Sequence, residues 1–213
     1  MAILGGFGIW YTGSRLDKSR LRRRIGVTLW GAVLVLILGA VTYYPAAGVA
    51  TRISGNAGFT LDGLQHVRVT HPDEYRGIDW IRSQTPRNAI VLESAVVQCS
   101  GNPSGCSSFT QAGRISSSTG RPTIIGWEGH ERQWRASSVH IKGRKEDVAQ
   151  IYQTEDIDIA RGLLKAYQVE YVVVGHRERG AYGAKGFSKF GNLGNLVFDG
   201  GDAMRVYRLG NLD

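Results

Sequence analysis

The sequence predicts an α/β domain with a mostly parallel sheet, carried on the outer side of a membrane by one N-terminal transmembrane helix. Three observations predict it: an uncharged apolar run from Ile25 to Tyr44, alternating helix-like and strand-like segments after residue 70, and two cysteines placed close together at Cys99 and Cys106.

Residues 1–12 are apolar but too short to cross a bilayer, which leaves an interfacial segment or the stub of an earlier helix. Residues 1–24 hold six of the 26 Lys and Arg and one of the 18 Asp and Glu, so they carry +5 of the net +8. Such basic flanks resist translocation, which makes 1–24 a cytoplasmic segment and puts the rest of the chain outside. The charge is thus a signal of topology and of anionic lipid, and no nucleic-acid partner is expected.

Residues 25–44 form the expected spanning helix, because twenty helical residues at 1.5 Å each cover roughly 30 Å of hydrocarbon. Trp30 near one end and Tyr43 with Tyr44 at the other suit the headgroup regions. Two alternatives compete: a signal peptide cleaved near Ala46, Ala47 or Ala50, and a buried core helix. Gly31, Ala32, Gly39 and Ala40 permit close helix contacts in a larger membrane complex. Residues 45–69 read as a linker and 70–213 as an extracytoplasmic domain, long enough to enclose one core.

Within that domain, Thr70-His-Pro-Asp-Glu74 opens a helix with a cap, a proline in the first turn and acids facing the positive helix end. Thr85-Pro86 stops it. Asn88–Glu93 and Thr123–Gly126 read as short strands, and Glu146–Val169 as helical. Glu170–Gly175 is a β-branched strand ended by glycine, and Met204–Leu209 an alternating one. Helices alternating with short apolar strands imply a layered α/β domain.

Cys99 and Cys106 bracket Ser-Gly-Asn-Pro-Ser-Gly, a turn composition that brings them together. A disulfide there would contribute about 2–3 kcal/mol in the chain-entropy model and fits an oxidising compartment. Two free thiols remain the alternative, whereas a zinc site lacks a C-x2-C pair and a neighbouring histidine.

Several catalytic signatures are absent. Gly175 and Gly180 share the first spacing of a phosphate-binding loop, but Ala181-Tyr182 replaces the lysine and hydroxyl it needs. No strand is followed by G-x-G-x-x-G, no G-x-S-x-G turn occurs, and His130-Glu131 only begins an H-E-x-x-H helix.

The dense polar stretch is Gly113 to Arg135. Arg114, Ser116 and Thr119 offer donors and hydroxyls, Trp127 and Trp134 flat faces for a sugar ring, and Arg132 and Arg135 paired donors for phosphate. Glu128, His130 and Glu131 read either as an acid/base or metal-binding trio or as a helix cap satisfying a loop. No cofactor is identified beyond a divalent metal on that trio. The whole stretch also fits a structured loop packed by its tryptophans. His176 and Glu178 follow the clearest strand, where α/β sheets place functional groups, and salt bridging is the alternative there.

The run Gly113 to Arg135, with Gly-Arg-Ile-Ser, Thr-Gly-Arg-Pro-Thr and Gly-Trp-Glu-Gly-His-Glu-Arg-Gln-Trp-Arg, resembles the C-terminal region of the YYY family of multi-spanning membrane proteins. Tyr44-Pro45, Thr60–Gly63, Ile78–Ile81 before Pro86, Asp147-Val148 with Ile151-Tyr152, Tyr171–Gly175 with Glu178, Lys189-Phe190 and Val206–Arg208 extend the resemblance over nearly everything from residue 40 onward. That family is similar to the GT-C glycosyltransferases, which move sugars from polyprenyl-phosphate carriers. The resemblance implies the last helix and outer domain of a longer protein, or a subunit split from one, contributing substrate contacts to sugar transfer. The catalytic carboxylate of such enzymes lies in an early outer loop that this chain lacks, so catalysis by this chain alone is not expected. A polytopic partner or upstream membrane region would complete it. The alternative is a non-catalytic structural or accessory subunit of a membrane complex.

Overall fold

In a computed structural model, which describes Tyr11 and residues 20–54, 60–99, 102–135 and 137–212, the chain divides into two units between Thr60 and Leu61. The apolar 1–12 segment, Tyr11 aside, and Arg15 and Lys18 lie outside the described residues.

The first unit holds helix α1 (Arg20–Ser54). Its stretch Arg24–Thr51 is long and apolar enough to cross a membrane and is not buried in the structure, unlike the core helix of a soluble domain. The helix does not stop at Tyr44 but passes through Pro45. A proline removes one backbone donor, and the turns on either side carry the helix across. The expected linker is correspondingly shorter. Residues 45–54 belong to α1, and residues from Leu61 belong to the second unit.

The second unit contains α2 (Gln65–Thr70), α3 (Pro72–Gln84), β1 (Ile90–Leu92), β2 (Val97–Cys99), β3 (Asn102–Cys106), α4 (Arg114–Thr119) and α5 (Glu128–Trp134). It continues through α6 (Arg144–Gln153), α7 (Ile157–Ala166), β4 (Val169–Gly175), α8 (His176–Tyr182), α9 (Phe190–Leu193), β5 (Gly194–Asp199) and β6 (Met204–Leu209). The main sheet has the order β1-β4-β6-β5, with β1 and β4 parallel and the other two pairings antiparallel. It is therefore a mixed sheet rather than a mostly parallel one. The difference comes from β6, which lies antiparallel to both β4 and β5 and reaches β5 across a tight turn at Gly200-Gly201, Gly201 having φ 66°.

Strand alternation gives this sheet an apolar core on each face. Val172 and Val174 of β4 pack with Val148, Ile151 and Tyr152 of α6 and with Ala160 and Leu164 of α7. Tyr171 and Val173 face the opposite way, onto Ile78 and Ile81 of α3 with Met204 and Val206 of β6. A side chain at Gly77 would strike Met204 at 2.5 Å, so this glycine lets α3 lie close on the sheet. The buried Tyr152 hydroxyl sits 2.8 Å from the Val173 carbonyl and 3.3 Å from that of Leu92, at the ends of the parallel pair.

Two local expectations change. The helical stretch from Glu146 to Val169 is two helices, because the Asp156 side chain accepts from the Asp158 and Ile159 amides and caps a new start. Thr123–Gly126 is not a strand. The chain meets β1 through one bond, Val91 N–H to the Pro122 carbonyl, and Pro122 has no donor to return. The neighbouring backbone groups go to side chains instead: Arg144 donates to the Ile124 carbonyl and Glu131 accepts from the Gly126 amide.

Cys99 and Cys106 are joined by a disulfide across the antiparallel β2–β3 pair, with Cα atoms 5.9 Å apart. Alkylation of the denatured chain without reductant is expected to leave its mass unchanged, while prior reduction adds two alkyl groups. Two adducts without reductant would refute the pairing.

Candidate functional site

A cleft of about 770 Å³ opens in the second unit, among residues that precede α3, the loop leading into α4, α4 itself and α5. Short α4 is bounded by Gly113 and Gly120, both in the left-handed region at φ 72°. Ser116, Ser117 and Ser118 of this helix line the cleft together with Leu64, Val67 and Trp127, and the Ser116 and Ser117 hydroxyls donate to the Gly113 and Arg114 carbonyls at 3.0 and 3.1 Å.

Behind this surface lies a buried charge network. Arg114 is 9% exposed, and Glu74, Glu93 and Glu178 are 1% or less. Arg114 donates through Nε to Glu74 and through its two terminal nitrogens to Glu178, at 3.2 and 3.4 Å. Arg177 approaches Glu74 from the other side at 3.1 Å. Glu178 also accepts from the Gly175 amide at 2.9 Å and the Ser94 amide at 3.2 Å. A side chain at Gly175 would overlap the Ala203 carbonyl, so the strand end tolerates only glycine. Glu93 accepts from the Ile115 and Ser116 amides, both at 2.7 Å, doing for α4 the capping that Gly113 has no side chain to do.

Electrostatics separate these carboxylates. Burial alone would push the Glu74 carboxyl up, but Arg114 and Arg177 outweigh it and hold it below its ordinary value. Glu93 moves the other way: burial raises it, and Arg114 with the two amides only partly offsets that. Arg114 loses hydration by burial, yet the surrounding glutamates hold its proton more firmly than usual.

Arg121 also lines the cleft and is buried. Its nitrogens donate to the Arg82 and Thr85 carbonyls at 2.6 Å, to the Thr85 hydroxyl at 3.0 Å and to the Thr119 carbonyl at 2.7 Å. It thus caps the negative end of α3.

At the other side, Trp127 donates through Nε1 to the Ala112 carbonyl at 2.8 Å, which fixes its ring. The His130 ring centroid lies 5.0 Å from that of Trp127 and 4.8 Å from that of Phe109. Phe109 is exposed and holds a left-handed φ of 59°, a conformation unusual for a bulky side chain. Nδ1 of His130 is buried with no hydrogen-bond partner.

The structure gathers Arg114, Ser116, Trp127, His130 and Glu131 around one cleft. It does not bring the other expected site residues of the polar stretch there. Thr119 is buried and returns its hydroxyl to the Ile115 carbonyl. Glu128 pairs with Arg132 and Lys145, and Glu128 and Arg132 line a separate cleft of about 470 Å³. Arg135 pairs with Glu131 at 3.1 Å, one helical turn back. The two arginines therefore do not converge as a phosphate grip, and Trp134 is 80% exposed. Glu128, His130 and Glu131 are each engaged in different directions, and among the described residues no group of three or more His, Cys, Asp or Glu could hold a metal ion. His176 is exposed, with its Nδ1 3.3 Å from the Ala203 carbonyl and its ring 5.8 Å from that of His71. Glu178 belongs to the buried network, in the salt-bridging role that was the alternative.

Glu74, Glu93, Arg121 and Phe109 are not among the site residues expected from sequence. Glu74 reads there as an acid facing the positive end of a helix, and Glu93 as the end of a short strand. The one available signal was position, since Glu93 and Glu178 each follow the carboxyl end of a parallel strand. No protein-family model and no curated protein matches the chain.

Arg114→Ala leaves buried carboxylates without their cation and is expected to cost on the order of 3–5 kcal/mol in chemical denaturation of the full chain; a loss under about 1 kcal/mol would refute its central place. Because folding holds Glu74 below its unfolded value, it contributes stability above about pH 4.5 that is lost as pH falls further. Glu74→Gln should therefore flatten the fall in melting temperature below that pH relative to the native chain. Glu93 titrates with the opposite sign in both proteins, so the difference between the two curves reports Glu74.

Proposed function

We propose that this chain is a membrane-tethered extracytoplasmic domain of a GT-C-like system, contributing substrate contacts to transfer of sugar from a polyprenyl-phosphate carrier. The N-terminus is cytoplasmic and the second unit lies outside, where the Cys99–Cys106 bridge is stable. The observation that carries the proposal is the cleft itself. It sets a fixed indole, Trp127, beside an imidazole and brings Ser116, Ser117 and Ser118 into the same lining, the first two donating to the Gly113 and Arg114 carbonyls and Ser118 left to meet a ligand. A sugar ring offers a flat C–H face and peripheral hydroxyls, which such walls complement.

The division of labour follows from the chemistry at hand. The carboxylates nearest the cleft floor are committed to arginines and amides. The chain's contribution is therefore binding and orientation, worth rate through placement of the reacting groups. The acid or base and the carrier-lipid contacts come from a polytopic partner. Orientation of the helix is supported by the basic flank before Ile25.

A second proposal, a non-catalytic accessory subunit, draws on Phe109, Trp134 and Val139, large apolar side chains that are 83%, 80% and 75% exposed. Such surfaces commonly meet partners.

Gentle-detergent purification from native membranes, followed by mass spectrometry of everything that co-migrates, distinguishes the two. A polytopic partner with acidic outer-loop residues is the expected result. Co-migration with an unrelated multisubunit complex would overturn the glycosyl-transfer role in favour of the accessory one.

A further inference from the structure

Resting on the proposed sugar-handling role, we infer that this cleft binds the uncharged, hydroxyl-bearing part of its ligand and leaves any phosphate outside. A phosphate subsite needs donors or positive charge not already committed. Both arginines lining the cleft are committed. Every guanidinium nitrogen of Arg114 is engaged, and its charge is matched by Glu74 and Glu178. Every guanidinium nitrogen of Arg121 is engaged as well, on the C-terminal carbonyls of α3, the Thr85 hydroxyl and the Thr119 carbonyl. Recruiting either for a ligand would uncap a helix or strip a buried carboxylate of its partner.

Two acids also line the cleft, Glu74 and Glu131, and each is already paired, Glu74 with Arg114 and Arg177 and Glu131 with Arg135, so these ion pairs leave no spare cation for an anion. Arg135 sits on Glu131, and Arg132 faces the other, smaller cleft. What the cleft does leave unmet is hydrogen bonding of the neutral kind. Nδ1 of His130, a residue of the cleft lining, is buried without a hydrogen-bond partner. Ser118 lies along the same lining with its hydroxyl available. Apolar walls at Leu64, Val67 and Pro122 favour a ligand with C–H faces over a hydrated ion. The cleft thus recognises a glycosyl group, while its carrier phosphate is held by groups outside the cleft.

The test uses the full chain in lipid nanodiscs. A panel of methyl glycosides of common hexoses and N-acetylhexosamines is titrated against the matching sugar 1-phosphates, with inorganic phosphate as competitor. At least one methyl glycoside is expected to bind about tenfold or more tightly than its 1-phosphate. Inorganic phosphate should not displace it. Binding should be lost in Trp127→Ala and also in Ser118→Tyr, which narrows the cleft while leaving the indole unchanged, and kept in Trp134→Ala. A 1-phosphate that binds as tightly as its glycoside, or displacement by inorganic phosphate, overturns this inference and leaves the sugar-handling role standing. Glycoside binding insensitive to both cleft variants overturns the assignment to this cleft. Failure of every glycoside and every 1-phosphate to bind overturns the sugar-handling role itself.

Discussion

Glu74 and Glu178, buried from distant parts of the chain, need a cation between them, and Arg114 supplies it. Glu178 follows β4 and Glu74 reaches in from the first turn of α3, while Glu93, just past β1, is held by the Ile115 and Ser116 amides. Removing Arg114 leaves buried carboxylates unanswered, so each member of the trio constrains where the others stand. The same contacts also satisfy the free amides at the start of α4 and at the end of β4. The serine-lined side of the cleft is positioned as a by-product of this arrangement. Arg121 completes it from below by tying the end of α3 to the end of α4.

This explains why arginines dominate the cleft's surroundings without making it an anion site. Guanidinium groups here do the work of helix caps and counter-ions. In the proposed role, the ligand-facing surface is instead the neutral set of hydroxyl, indole and imidazole groups that they hold in place. Such a set suits a ligand recognised by shape and hydroxyl pattern, which is what a domain that orients substrate for chemistry performed elsewhere requires.

Local signals were legible in the sequence. The proline and acids at the start of α3, the β-branched run of β4, the alternation of β6 and the turn between the cysteines each declare themselves within a few residues. Signals that depend on distant partners were not. Nothing in Met204–Leu209 says that it runs antiparallel to β4, and Gly194–Asp199 hides a strand behind glycine and asparagine. Thr123–Gly126 has the right residues for a strand, but its backbone is claimed by Arg144 and Glu131. In the site, the sequence sets Trp127 beside Trp134 and His130 beside two acids, and the contact of Trp127 with His130 emerges only from the folded loop. Arg132 and Arg135 read as paired donors for a phosphate, but a carboxylate four residues earlier claims each.

The order of the sheet has a consequence for biogenesis. β1 is the sole member of the four-stranded sheet before Val169, so residues that leave the ribosome early have almost nothing to pair with. Arg177 meets Glu74 across 103 residues, and Glu178 meets Arg114 across 64. A nascent chain stopped before Val169 carries Glu74 and Arg114 each with a partner missing, and the hydrophobic faces of α3, α6 and α7 without β4 to pack on. The domain therefore closes late, once nearly its whole length has been made. Truncations near the C-terminus should accordingly be read as failures of assembly before they are read as losses of a site.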